Sequence, residues 1–510
     1  MKKTVLTLVA ALAVAHSALA GGYVTNTNHN AAFGRNPALD GKIDINALYS
    51  NPAGIGFLQN GWHMAFNVQS AYQHRDVSTN FGQALNPQLN GLYGLGTVNG
   101  KPNGLGEKTF KGQAVAPVIP ALDVAYVKDR WSAMFHFAIG GGGGKCDFDD
   151  GLGSFESMAA MLPVAINAGI NQQLAAQYAA AGMPFTPITA VDGYSMDMWM
   201  RGRQYYFGFQ LQGGYKVQDN LNISAGLRAV VANCAYEGFV GNLQVHTAAD
   251  LPAAVQTAMG IPAGQNVPAA ALLGAQGALA ADRTVDVSQS GFGLTPVLGI
   301  DWRINDRWNV AAKYEFKTRL RLENSTPAGM DGGLPAYSDG VKQAADIPAL
   351  LTVGAQYNVL PNLHLNAGGH LYFDKQATQA GDSQELLDGQ TWELLAGVEW
   401  DIEDWVTVSA GWQTTNYGLG DNSQYISDMS FVTSSNTVGL GARFNVSKKV
   451  AIDVSYFKTL YKHYRVDYED YNSLGQRFGA LAGDPSLRIA GYNDFYRTND
   501  VFGVGVSVKF

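Results

Sequence analysis

The sequence predicts an all-β protein: a closed antiparallel transmembrane β-barrel of about 14 strands, with an N-terminal hatch inside it and helical extracellular loops. Three observations carry this. Segments of strict apolar/polar alternation recur along the chain, and the last one ends on Phe510. The connections between them switch between tight turns and long excursions. The chain opens with an export signal, and no later stretch offers the ~20 continuous apolar residues of a membrane helix.

The export signal spans residues 1–20. Lys2 and Lys3 give a positive start, Val5 to Ala15 is an apolar run broken only by Thr7, and Ala18-Leu19-Ala20 is a small-x-small cleavage site before Gly21. Residues 21–58 do not alternate. They carry Asn26, Asn28, Arg35-Asn36-Pro37 and Asn51-Pro52-Ala53-Gly54, and they predict a polar hatch folded into the lumen. Residues 59–510 predict the barrel, because no linker divides them. Charged residues make up only 15% of the chain, against ~25% in soluble domains. The formal charge of −8 argues against a nucleic-acid partner.

The last strand sets Phe502, Val504, Val506, Val508 and Phe510 on one face and Gly503, Gly505, Ser507 and Lys509 on the other. Phe292, Leu294, Leu298, Ile300 and Trp302 oppose Gly291, Gly293, Thr295, Gly299 and Asp301 in the same way. In a membrane barrel the apolar face meets lipid and the polar face lines the lumen. Trp302, Trp400, Trp412 and Tyr456 lie near strand ends, as interface aromatics do. Tight turns are expected near 127–131, 217–220, 305–307, 360–361, 402–404 and 446–448. An even strand number closes the sheet without an edge. Two Ala-rich stretches predict helical loop insertions at about 150–200 and 241–285; these are either packed surface helices or an apolar landing site.

Along 308–322, Lys313, Glu315, Lys317, Arg319 and Arg321 share one parity, while Val310, Ala312, Tyr314, Phe316, Thr318, Leu320 and Leu322 share the other. With the second set toward lipid, the first faces the lumen. Arg228 is also inward by parity, with Asn222 and Ser224. These cations either hold a carboxylate ligand or form an ion-pair network with lumenal acids. The run Gly140-Gly141-Gly142-Gly143-Gly144 has no side chains to pack and pairs weakly as a strand. It is either a mobile outer loop or an opening in the wall. Cys146 and Cys234, the two cysteines, end the third and fifth strands on the same side, so a disulfide and two free thiols are both open. No metal-ligand spacing, phosphate loop or serine elbow occurs, so no metal, no cofactor and no enzymatic activity are expected.

At Asn51-Pro52-Ala53-Gly54, and in the order of the elements after it, the chain resembles the FadL-like long-chain fatty acid transporter family of outer-membrane barrels, the FadL/TodX group. The resemblance covers essentially the whole mature chain. It implies 14 strands and a hatch carrying the Asn-Pro-Ala motif. It implies a Pro-containing stretch at Ala116-Pro117-Val118-Ile119-Pro120 and a third strand from Trp131 kinked inward at Gly140–Gly144 to leave a lateral hole. The two helical connections would form a capture groove with Phe155, Met158, Leu162, Leu251 and Leu272 among its apolar contacts. The family's lumenal Lys aligns with Arg319, with Lys317 close by. The family's inward Arg aligns with Asn233, a departure for which Arg228 is the available substitute. The implied function is passive uptake of a fatty acid or aromatic hydrocarbon across a bacterial outer membrane. It would act as a monomer in outer-membrane lipid, assembled by the barrel-assembly machinery through Phe510. A barrel serving as secretion-system partner or surface receptor is the rival reading.

Overall fold

The computed structural model describes residues 24–81, 96–102, 106–273, 277–278, 280–482 and 486–510; the export signal expected at 1–20 lies outside them. Among the described residues, 14 strands form the wall. They are β1 (Gly61–Phe81), β2 (Lys108–Lys128), β3 (Trp131–Phe148), β4 (Val191–Gln218) and β5 (Leu221–Thr247). Next come β6 (Arg283–Arg303), β7 (Trp308–Glu315 and Arg321–Ser325), β8 (Lys342–Ala344 and Leu350–Leu360) and β9 (Leu363–Tyr372). The circuit ends with β10 (Thr391–Glu403), β11 (Val406–Asn416), β12 (Ser435–Asn445), β13 (Val450–Tyr461 and Tyr464–Tyr468) and β14 (Gly491–Lys509). β14 pairs antiparallel with β1 from His63–Lys509 to Phe81–Gly491, which closes the sheet.

Alternation sets which way each side chain points. Phe292, Leu294, Leu298, Ile300 and Trp302 are exposed on the outer wall, as are Phe502, Val504 and Val506. Asn67, Gln210, Asp301, Glu393 and Asp453 are buried inside. A soluble protein would reverse this, so the exposed apolar belt is a lipid-facing surface. At the tight-turn end, aromatic pairs bridge neighbouring strands: Trp62–Tyr126, Trp131–Tyr215 and Trp308–Tyr357, with ring centroids 4.9, 4.6 and 4.4 Å apart. Such girdles sit where hydrocarbon gives way to headgroups. Each of the six expected tight turns joins a strand pair at this end.

The opposite end carries the long connections. Between β3 and β4 lie α2 (Gly153–Ala160) and α3 (Leu162–Ala180); between β5 and β6 lie α4 (Ala253–Met259) and α5 (Ala269–Leu273). The β11–β12 connection folds inward and buries Tyr417, Ile426, Phe431 and Val432. These join Val77, Val230, Leu320, Leu322 and Phe495 in an apolar packing layer that fills the lumen at the long-loop end.

One expectation fails here, and one alternative is decided. β7 pairs Glu315 with Val297 but Glu323 with Ser290, so one extra residue is inserted between the two segments. A single-residue insertion swaps the faces of everything beyond it. Lys313 and Glu315 are therefore buried in the lumen, whereas Thr318, Leu320 and Leu322 replace Arg319 and Arg321 on the inner face, and Arg319 is exposed outside. The cysteines are both free. Cys146 of β3 pairs with Gly202 of β4, and Cys234 of β5 pairs with Gln204 of the same strand. One whole strand separates them, and their partners on it are two residues apart, so their Cα atoms are at least ~9–10 Å apart, beyond the ~7 Å reach of a disulfide.

A plugged lumen and a gap in its wall as the candidate site

The N-terminal segment 24–58, the expected hatch, lies against the inner wall and is held there by polar contacts. Asn30 caps α1 (Ala31–Arg35) by accepting from the Phe33 amide at 2.9 Å. α1 then aims Arg35 at the wall. Its guanidinium donates to Glu399 at 2.5 Å, Asp453 at 2.9 Å and Ser409 at 2.9 Å. Lys42 adds a second cation to Glu399 at 2.7 Å, and Arg443 reaches back to Asp44 at 2.5 Å. Burial by itself would raise the Asp44 carboxyl, but Arg443 and Lys42 outweigh it and hold the group well below the usual carboxylate range. Asp40 meets His370 at 3.0 Å, and the other ring nitrogen of His370 faces Glu393 at 2.7 Å.

The motif Asn51-Pro52-Ala53-Gly54 forms the last turn of the hatch. Asn51 caps the 3₁₀ turn Pro52–Phe57, accepting from the Gly54 amide at 3.0 Å, and its amide nitrogen donates to Asp301. Asn222 donates to the Ala53 carbonyl. The inward glycines of the wall make room for this packing. A Cβ at Gly441 would lie 2.6 Å from the Arg35 Cβ, and one at Gly299 would lie 3.2 Å from Pro52 Cγ. Real Cβ atoms do not approach so closely at Gly441, so the wall positions nearest the hatch require glycine.

Above the hatch the wall is interrupted. β2 and β3 pair from Lys128–Trp131 to Leu122–Phe137, and again from Val115–Lys145 to Gln113–Asp147, with no pairing between them among the described residues. On β2 the break contains Pro117 and Pro120, which have no N–H to donate. On β3 it contains the glycine run, where Gly142 (φ +92°) and Gly144 (φ +70°) take left-handed conformations that favour glycine. β3 bends inward there and pairs with the start of the hatch instead: the Asn26 amide donates to the Gly140 carbonyl at 3.0 Å, and Thr25 bridges Gly141. A small pocket sits at the break, lined by Ala71, Gln73, Ala114, Ala116, Ile119, Ile139, Gly144 and Tyr205.

The predicted cations are distributed unevenly. Arg228 is buried and inward, but it donates to Glu315 at 2.7 Å and to Gln210 at 2.9 Å, and it lies 5.0 Å over the Tyr49 ring. Lys313 shares Glu315 at 2.6 Å and donates to the Tyr49 carbonyl at 2.8 Å. This is the ion-pair alternative, and it clasps Tyr49 of the hatch. Lys317 is half-buried, 3.5 Å from Asp346 and 2.9 Å from the Gln376 carbonyl. Asn233 is exposed on the outer wall, where Arg203 donates to it at 3.2 Å. The sequence reading missed a pair on β1 and β14. Arg75 and Arg497 are both buried and stand directly opposite each other. The inward parity of His63, Asn67, Gln69 and Gln73 would have found Arg75.

At the long-loop end the capture residues separate. Phe155 lines a small pocket with Met200, Tyr236, Phe239, Val285, Met429 and Arg283. Met158 packs against the methionine-rich layer around it. Leu162, Leu251 and Leu272 belong to a separate cluster in which the two helical connections pack on each other.

No family profile matches the chain, and no curated protein matches it. In structure it is similar to a Pseudomonas aeruginosa FadL homologue, with a TM-score of 0.57 at 15% identity, over 98% of this chain and 100% of that one. It is also similar to the P. putida toluene transporter TodX, with a TM-score of 0.49 at 13% identity, over 91% of this chain and 94% of that one.

Proposed function

Proceeding from the FadL-like fold that the chain shares with the first of these structures, we propose that this protein is a passive channel of a bacterial outer membrane for hydrophobic compounds, above all long-chain fatty acids, and that they leave sideways between β2 and β3. The observation that supports this most is the break in the β2–β3 ladder, which opens on a largely apolar cavity directly above a docked hatch. An apolar solute gains nothing by crossing into water, so a side exit into lipid is the favourable route. The ligand first meets the cavity beside Phe155, moves down the apolar layer and reaches the gap. The hatch turn at Asn51-Pro52-Ala53-Gly54 adjusts as the bent β3, to which the hatch is hydrogen-bonded, moves. The closed sheet works as a monomer, and Phe510 is offered to the assembly machinery.

Ala116→Trp tests the exit. The Ala116 side chain faces the cavity, 3.4 Å from where a Cβ of Gly144 would lie, so an indole there fills the opening. Gly142 is the poorer site: a side chain there would strike the Gln204 carbonyl and distort the strand. Uptake of a radiolabelled fatty acid by cells carrying Ala116→Trp is expected to fall to background while the barrel keeps its heat-modifiable gel mobility. Uptake at the parent rate from an equally folded barrel refutes the lateral route.

A further inference from the structure

We propose that Lys317, Arg319 and Arg321 form a lipid-phosphate site on the outside of the barrel, where β7 leaves the hydrocarbon, and that its occupant is a phosphorylated glycolipid of the outer leaflet. The site lies on the lipid-facing wall and not in the lumen. It therefore stands on the barrel fold and is independent of what the channel carries.

The residue inserted in β7 creates the site. Beyond Glu315 the parity reverses, and the cations of 317–321 turn from the lumen to the outer wall. Three cations of one strand then share a face, and a single carboxylate meets them. Arg321 donates to Asp346 at 2.6 Å and to the Leu320 carbonyl at 2.7 Å. Lys317 lies 3.5 Å from the other Asp346 oxygen. Arg319 is exposed, and among the described residues no carboxylate lies within ion-pair distance of it. The next acid along the strand, Glu323, is held by Lys342 at 3.1 Å. The row thus carries two positive charges in excess. Side chains two positions apart on one face of a strand are ~7 Å apart, and at the edge of the hydrocarbon their repulsion is less screened than in water.

Position and charge select the occupant. Trp308 belongs to the girdle at the tight-turn end, and Arg319 stands eleven positions further along the chain. At ~3.4 Å per residue and a tilt of ~40°, that is ~28 Å across the membrane, the far edge of an apolar band ~25 Å tall. The long-loop end of such a barrel is the extracellular one, so the row meets the head groups of the outer leaflet. Its neighbours on the wall are apolar and exposed: Phe316 on the same strand, Phe292 and Leu294 on β6. A ligand held here is anionic at one end and acylated at the other. An excess of two charges matches a phosphate monoester, at about −1.5 to −2 near neutral pH, better than the single charge of a phosphodiester or a carboxylate. An arginine fork takes a phosphate by two parallel hydrogen bonds, with the flanking cations as further point charges.

The test uses the full-length barrel in nanodiscs of zwitterionic lipid and fluorescent lipid A as the probe, with its phosphates present or removed. Arg319→Gln is expected to weaken binding of the phosphorylated probe at least tenfold and to leave the phosphate-free probe at the parent value. Arg319→Lys, which keeps the charge but not the fork, should fall between parent and Arg319→Gln. Heat-modifiable gel mobility shows that each variant is folded. If Arg319→Gln binds phosphorylated lipid A as the parent does, or if the parent binds both probes equally, the site is refuted. Phosphatidylglycerol or laurate bound by the parent as tightly as phosphorylated lipid A overturns the assignment to a phosphate monoester.

Discussion

Arg35 ties the hatch to two strands of the wall at once, and Arg35→Ala should release the hatch while leaving the barrel closed. The side chain is 1% exposed and bridges Glu399 at 2.5 Å and Asp453 at 2.9 Å. Removing one partner of a buried ion pair costs ~3–5 kcal/mol, because the charge left behind is buried without compensation. Glu399 keeps Lys42 at 2.7 Å, so its loss is partly covered; Asp453 is left with Asn46 at 3.5 Å. The lower end of that range, ~3 kcal/mol, is therefore expected, which is roughly a hundredfold shift in the docking equilibrium. The wall itself loses no ladder hydrogen bond. Hydrogen exchange read by mass spectrometry should show the amides of 24–58 exchanging roughly a hundredfold faster in Arg35→Ala, with protection of β10–β14 unchanged. Adding Asp453→Asn removes the stranded charge and should recover part of the docking. Equal loss of protection in hatch and strands, or none in the hatch, would show that the ion pairs do not hold it.

Leu294→Arg puts a charge on the exposed face of β6 and should cost ~2–4 kcal/mol of folding in a bilayer if that face meets hydrocarbon; reversible unfolding in liposomes measures it, and a cost near zero contradicts the lipid-facing assignment. Arg319→Ala should leave both uptake and stability within ~0.5 kcal/mol of the parent, because the bulge in β7 turns that side chain outward; a large loss of fatty acid uptake would return it to the ligand path. Acid should loosen the hatch. The folded-state pKa of Asp44 is depressed by Arg443 and Lys42, so its stabilisation is complete above the unfolded value of ~4 and drains away as pH falls below it. Hatch protection measured from neutral pH downward should hold to about pH 4 and then decline, and a decline already complete at pH 6 would point to another group.

The barrel was legible because its signals are local and repeated. A period of two in side-chain polarity, as in Phe502 to Phe510, is read residue by residue, and the tight turns and the absence of a membrane helix need no knowledge of neighbours. The weak point in the wall was legible for the same reason. Pro117 and Pro120 lack donors and five consecutive glycines lack side chains, whatever surrounds them.

The lumen was less so. A parity argument carries across a strand only while the register holds, and the one-residue insertion after Glu315 moved Arg319 from the inside to the outside without any mark in the sequence. Charge compensation was also hidden, since Arg228 and Glu315 are 87 positions apart and Arg35 and Asp453 are 418 apart. The sequence by itself determined that this chain closes a barrel with apolar residues outward. Only the tertiary structure decided which buried cation meets which anion, as Arg35 does Glu399 and Asp453 and Arg228 does Glu315. Periodicity is a property of neighbours along the chain, whereas charge pairing belongs to neighbours in space.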